Sequence, residues 1–186
     1  MLPDLDAPLP EGLPIPVDDG ACSHLLGLSL PSLPLPATTG QWVNLGALSG
    51  RIVIYCYPMT AQPGCALPAA WDEIPGARGC TPQACAFRDH YRELSALGAA
   101  VYGLSTQDTE YQQEAVARLH LPYPLLSDAQ WAFAKALDLP LFEVNAMMLI
   151  KRLTLMIEDG KIRKVFYPVF PPDRNAEDVL VWLRSH

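Results

Sequence analysis

The sequence predicts an α/β sandwich, in which a mixed β-sheet is flanked by helices. Three observations carry that expectation: a β-branched and aromatic run at Arg51 to Tyr57, an alternation of such runs with helical periodicities through residues 81–137, and an Asp159-Gly160 turn between two apolar runs. The turn requires antiparallel strands at the end of the chain, whereas strands separated by helices favour parallel pairing at its start.

Eight of the nineteen prolines fall in the first 36 residues. Proline fixes φ and lacks an N–H, so residues 1–25 are expected to be an extended leader that wraps the surface. From Leu26 to Gly50, short apolar runs around Thr39-Gly40 predict an irregular hairpin. Arg51 to Tyr57 is apolar on both faces, as a central strand covered by helices must be.

Pro58 to Gly79 is a loop rich in Pro, Gly and Ala, with a short helix allowed near Ala66 to Ile74. Ala84, Phe87, Tyr91, Leu94 and Leu97 recur at helical spacing up to Gly98, predicting one helix from Thr81. A second buried strand, Ala99 to Ser105, precedes a helix capped by Asp108. Tyr123 to Leu126 reads as a short strand, and Ser127 or Asp128 caps the helix that follows. Leu149 to Ile157 is expected to pair with Lys161 to Tyr167, and a last helix presents Ala176, Val179, Leu180 and Leu183 to the core.

Composition narrows the function classes. Half the residues are hydrophobic and 18% are charged, which excludes a chain disordered throughout. Thirteen basic residues against twenty acidic ones, with no basic cluster, argue against nucleic acid as a partner. The longest uncharged apolar stretch, around Ala96 to Leu104, is too short to span a bilayer, so a membrane is not expected. The start MLPDLDAPLPEG has acids and prolines where a signal peptide carries basic and unbroken apolar residues, and a cytoplasmic location is expected.

The histidines (His24, His90, His120, His186) are scattered, and neither a Cys-x-x-Cys pair nor a phosphate-binding glycine loop is present. No metal, nucleotide or other cofactor is expected. Five cysteines (Cys22, Cys56, Cys65, Cys80, Cys85) are an odd set in a chain with enough core to do without cross-links. Cys56 lies in a strand and reads as a buried inert thiol. Cys22, in the leader, has no basic neighbour in sequence to activate it.

The informative pair is Cys80-Thr81-Pro82-Gln83-Ala84-Cys85. A thiol at a helix N-terminus faces unpaired N–H groups and the positive end of the dipole, which stabilise a thiolate at Cys80. Pro82 in the first turn fits such a start. Thiols five residues apart on an intact helix have α-carbons about 8.6 Å apart. A disulfide needs about 4.4–6.8 Å, so bonding Cys80 to Cys85 would require the first turns to unwind. Spacing alone is equally consistent with two small buried residues on a core helix.

The segment GCTPQACAFRDHYREL, after a strand ending in YP, resembles the active-site helix of peroxiredoxins of the PrxQ or bacterioferritin comigratory protein type. LPATTGQWVNLGALSGRIVIYCYP before it, VYGLSTQDTEYQQEAVARLHLPYPLLSD after it and KRLTLMIEDGKIRKVFYP further on match in the same order. The resemblance covers about residues 26–186, the expected domain. It implies a thioredoxin-like three-layer sandwich and reduction of hydrogen peroxide and organic hydroperoxides without a bound cofactor.

By the same resemblance, Cys80 is the peroxidatic cysteine, Cys85 the resolving one and Arg152 the active-site arginine, whose charge would hold the peroxide oxygens. Arg152 on an exposed sheet face is the alternative. A thioredoxin-type dithiol is the expected reductant, and a monomer or weak homodimer the expected assembly. The sequence departs from the family before the helix. Pro58 keeps its spacing to Cys65, but Gln62 stands where the family has Thr or Ser, and fifteen residues separate Cys65 from Cys80.

This insertion is a candidate lid over the site. Cys65 is therefore a spare loop thiol, an alternative resolving partner or the nucleophile itself. Thr60 would orient peroxide if the loop folds back; otherwise it is an exposed loop residue. A general disulfide oxidoreductase and a peroxide-responsive redox-sensing interaction module are the rival functions.

Overall fold

A computed structural model describes residues 8–186. A small antiparallel pair, β1 (Pro34–Pro36) and β2 (Trp42–Asn44), forms the hairpin expected around Thr39-Gly40. The main sheet contains β3 (Arg51–Cys56), β4 (Ala99–Ser105) and β5 (Leu125–Ser127), followed by β8 (Leu153–Glu158) and β9 (Lys161–Phe166). Between β5 and β8 runs a separate hairpin, β6 (Leu141–Val144) and β7 (Met147–Ile150).

In the main sheet the order is β5-β4-β3-β8-β9. The β3–β4 and β4–β5 pairs are parallel, and the β3–β8 and β8–β9 pairs are antiparallel. The helices are α1 (Cys80–Asp89), α2 (Tyr91–Ala96), α3 (Thr109–Leu119), α4 (Ala132–Ala136) and α5 (Asn175–Ser185).

Strand periodicity divides the core between the two faces of the sheet. Val53 and Tyr55 of β3 join Phe87 of α1, Ala115 of α3 and Val179 of α5 on one face. Ile52, Ile54 and Cys56 join Phe133 of α4, together with Cys22, Leu25 and Leu45, on the other. A mixed sheet between two such layers is the expected α/β sandwich. Asp108 caps α3 by accepting from the Tyr111 N–H at 2.7 Å. Asp128 accepts from the Phe133 and Ala134 N–H groups at the start of α4. Asp159 and Gly160 both have positive φ, as a tight hairpin turn demands.

Two elements differ from expectation. The periodic stretch predicted as one helix divides at His90, whose φ of −95° and ψ of 6° leave the helical region. The apolar stripe on either side faces the same core, so periodicity alone could not locate the break. The strand predicted at Leu149 to Ile157 is also split. Met147–Ile150 pairs with Leu141–Val144, while Leu153 onward pairs with β3. Lys151 and Arg152 occupy the crossing between them, and Arg152 turns inward with 3% of its surface exposed.

Candidate active site

Cys80 is the first residue of α1, and the first helical bond closes from Gln83 N–H to the Gly79 carbonyl. Gly79 has a φ of 105°, and a Cβ there would lie 2.3 Å from Pro172 Cγ. Only glycine allows the chain to enter the helix so close to Pro172. Cys80 is 4% exposed, its Sγ 3.7 Å from the Ala77 carbonyl.

Arg152 Nη2 lies 3.2 Å from Cys80 Sγ. Its Nε donates to the Gly76 carbonyl, Nη2 also to those of Ala77 and Arg78, and Nη1 to Gln83 Oε1. Nη2 thus faces three acceptors with two N–H groups, so an incoming oxygen can replace a carbonyl without leaving the guanidinium unsatisfied. Among the described residues no carboxylate pairs with this buried cation. Its positive charge therefore lies directly against the Cys80 sulfur. Arg152 is thus not on an exposed sheet face.

Gln83, three residues beyond Cys80 and wholly buried, escaped the sequence reading. Its Nε2 donates to Asn175 Oδ1 at 3.0 Å, and Asn175 Oδ1 also accepts from Thr154 Oγ1 at 2.7 Å. The available signal was a polar side chain on the buried stripe of a core helix, where burial demands partners.

The insertion after Cys65 folds against the β6–β7 hairpin. Trp71 and Ala77 are buried with Val144 and Leu149, and Met59, Leu67 and Phe142 pack on them. Within it, the helical turn allowed by sequence is a single 3₁₀ turn, Trp71–Glu73. Gly76, Ala77 and Arg78 supply the carbonyls around Arg152, so the insertion forms one wall of the site.

Thr60 is buried, with 1% exposed, and is not the exposed loop residue considered from sequence. Its N–H and hydroxyl both point to Gln107 Oε1, at 3.1 and 3.3 Å. Its carbonyl accepts from Tyr111 OH, and that of Ala61 from Arg118 Nη2. Thr60 does not line the small cavity at Cys80, whereas its neighbours Met59 and Ala61 do.

Cys65 is exposed, 3.8 Å from Gln62 Oε1, in a loop outside any helix. Cys85 is half-buried on the same intact helix as Cys80 and packs against the core. Burial pushes the Cys56 thiol far up, and burial together with the charges of Asp19 and Asp18 pushes Cys22 up to about 12. Both remain protonated near neutrality. Among the described residues no group of His, Cys, Asp and Glu could hold a metal ion, and no helix is long and apolar enough to cross a membrane.

Comparison with known proteins agrees with this geometry. The Redoxin family matches residues 20–180. A chloroplastic peroxiredoxin Q of Suaeda salsa is 32% identical over 157 residues, which cover 83% of this chain and 65% of that protein; the chain thus spans just under two thirds of that plant relative. A Mycobacterium tuberculosis H37Rv protein bearing a peroxiredoxin name is 30% identical over 162 residues, 86% of this chain and 96% of that one. The crystal structure of peroxidoxin BcpB from Mycobacterium tuberculosis superposes with a TM-score of 0.70 at 28% identity, covering 87% of this chain and 98% of the other. With an α/β sandwich, a cysteine opening a core helix and an arginine on its sulfur, the chain belongs to the Redoxin family and, within it, to the peroxiredoxins of the Q or bacterioferritin comigratory protein type.

Proposed function

We propose that the protein is a thiol-dependent peroxidase acting through Cys80. The observation that carries the reading is the 3.2 Å contact between Arg152 Nη2 and the sulfur of a cysteine at a helix N-terminus. The Cys80 thiolate attacks one oxygen of a hydroperoxide; the O–O bond breaks, Cys80 becomes sulfenic acid, and the other oxygen leaves as alcohol or water after taking a proton. Arg152 stabilises charge on the departing oxygen by exchanging a carbonyl for it.

Cys85 then condenses with the sulfenic acid, releasing water and forming a Cys80–Cys85 disulfide. An external dithiol of the thioredoxin type returns two electrons. Because the two cysteines occupy one intact helix, the first turns of α1 must open for the second step. Thr60 acts behind the wall: through Gln107 it fixes the Met59–Ala61 edge of the mouth. Residues 26–186 carry the catalysis as a monomer or weak homodimer, and a reducing compartment such as the cytoplasm suits the cycle.

Stopped-flow oxidation of single-cysteine variants tests the assignment. Cys80→Ser should abolish fast peroxide reduction, whereas Cys65→Ser should keep it and still form an intramolecular disulfide. A rapid peroxide-sensitive thiol that maps to Cys65 in Cys80→Ser would reverse the assignment. Sustained peroxide consumption with a thioredoxin system separates an enzyme from a sensor, which would oxidise once and stop.

A further inference from the structure

The leader reaches the active site. Pro8, Leu9 and Pro10 line the cavity at Cys80, facing Met59, Leu67 and Trp71. Leu9 Cδ2 lies 3.1 Å from the position a Cβ on Gly79 would take, so Leu9 is packed against the residue that starts α1. Farther along, Pro16 lies over Gly76, one of the residues whose carbonyls surround Arg152. Asp19 then ties the leader to β9's end and to the crossing before β8, accepting from Tyr167 OH and Lys151 Nζ, each at 2.8 Å. Prolines at 8, 10, 14 and 16 limit the freedom that this extended path would otherwise have to give up.

The cavity that Cys80 lines measures about 30 Å³. A water-sized centre needs about 10–15 Å³, so the space accommodates the two oxygens of hydrogen peroxide and little more. Organic ligands occupy sites of about 300–1,000 Å³. A cavity of about 310 Å³ lies beside the leader, walled by Ile15, Val17, Phe142 and the far side of Arg152, but Cys80 does not line it, so a bulky peroxide held there still has to reach the sulfur through the narrow space.

We propose that Leu9 of the leader, with Trp71 and Leu67 of the insertion, is a size filter that admits hydrogen peroxide to Cys80 and holds back hydroperoxides bearing a bulky organic group. This rests on the peroxidase reading for its substrates and on geometry alone for access. Both parts of the filter come from segments outside the strands and helices that build the site. The leader is tethered at Asp19 and adds no strand to the main sheet. The side chains of Leu9, Leu67 and Trp71 make no hydrogen bond to Cys80 or Arg152; they set which peroxides arrive there.

The test uses the full chain and two variants, Leu9→Ala, which shortens the plug, and Leu9→Lys, which sets a positive charge in an apolar contact against the positive end of α1. Rates of Cys80 oxidation by hydrogen peroxide and by cumene hydroperoxide are measured, as are rates of Cys80 alkylation by iodoacetamide and by a bulky aryl maleimide. In both variants the ratio of bulky to small reagent should rise, by about tenfold or more for Leu9→Lys. Ratios within about threefold of wild type for both reagent pairs would overturn the filter. If no peroxide oxidises Cys80 in the wild type, the peroxidase reading fails, and the alkylation ratios still decide the question of access.

Discussion

Asn175 decides which way Gln83 faces. Because Asn175 Oδ1 accepts from Thr154 Oγ1 and from Gln83 Nε2, the amide oxygen of Gln83 is left pointing at Arg152. The start of α5 thereby reaches through Gln83 to the arginine that contacts the Cys80 sulfur.

That chain of contacts gives the first prediction. Asn175→Ala should slow Cys80 oxidation by about 2- to 12-fold, the kinetic equivalent of one lost net hydrogen bond of about 0.5–1.5 kcal/mol. Arg152 remains present but less firmly held, so the loss should appear in the rate of the first oxidation with little change in disulfide reduction. Unchanged peroxide kinetics in a folded Asn175→Ala would show that the guanidinium holds its place without Gln83.

Arg152→Met keeps much of the side chain's length and removes its charge. Peroxide attack should slow by about 100- to 1,000-fold, or about 2.7–4 kcal/mol of barrier. A rate within about threefold of wild type, with Cys80 still the reacting thiol, would remove Arg152 from the mechanism.

Tyr123 braces the helix that the proposed disulfide step would open. Its hydroxyl donates to the Ala84 carbonyl at 2.7 Å and lies 3.0 Å from Tyr55 OH, whose ring stacks on Phe87. Tyr123→Phe removes one bond of about 0.5–1.5 kcal/mol from α1. Opening should become easier, disulfide formation faster and conversion of Cys80 to the sulfinic form rarer at a given peroxide dose. The opposite variant, Cys85→Ser, should accumulate sulfinic Cys80. Normal cycling by Cys85→Ser would make Cys65 the next resolving thiol to test.

Thiol reactivity should follow burial and charge. At pH 8, Cys65 is expected to alkylate readily, while Cys22 and Cys56 stay unmodified until the protein unfolds. Peptide mapping after a short iodoacetamide pulse reads this directly; early labelling of Cys22 would mean that the leader segment around it opens often.

Hydrogen bonds from Lys151 and Tyr167 hold the Asp19 carboxyl well below its usual value of 3.8. A carboxylate whose pKa is lowered on folding contributes stability above the ordinary value and loses it as pH falls through the lowered one. The leader's tether should therefore survive at pH 3 and fail only in stronger acid. Amide exchange around residues 16–22, faster in Asp19→Asn than in wild type at both pH 7 and pH 3, would be the signature. Equal exchange at pH 3 would place the transition in the ordinary carboxylate range.

Most of the fold was legible because local signals agreed with tertiary ones: β3's dense apolar run, the Asp108 cap and the Asp159-Gly160 turn each occur where predicted. The β6–β7 hairpin was not, since Met147–Ile150 and Leu153–Glu158 read as one apolar stretch and only the inward turn of Arg152 divides them. Among site residues, the cysteines and Arg152 carried family motifs, but Gln83 and Asn175 are recognisable only once burial brings them within bonding distance. The role of the insertion was equally hidden, because its contribution to Arg152 consists of backbone carbonyls, which any sequence supplies.

The break at His90 has its own consequence for the opening of α1 that the proposed disulfide step requires. Helical order is cooperative, and a disturbance at one end of a long helix can run along it. Here α2 begins afresh after His90, with Leu94 fully buried as its anchor. On the proposed cycle the break would work as a bulkhead: α1 would come apart around Cys80 and Cys85 and re-form, while α2, a separate cooperative unit, would keep its shape behind it.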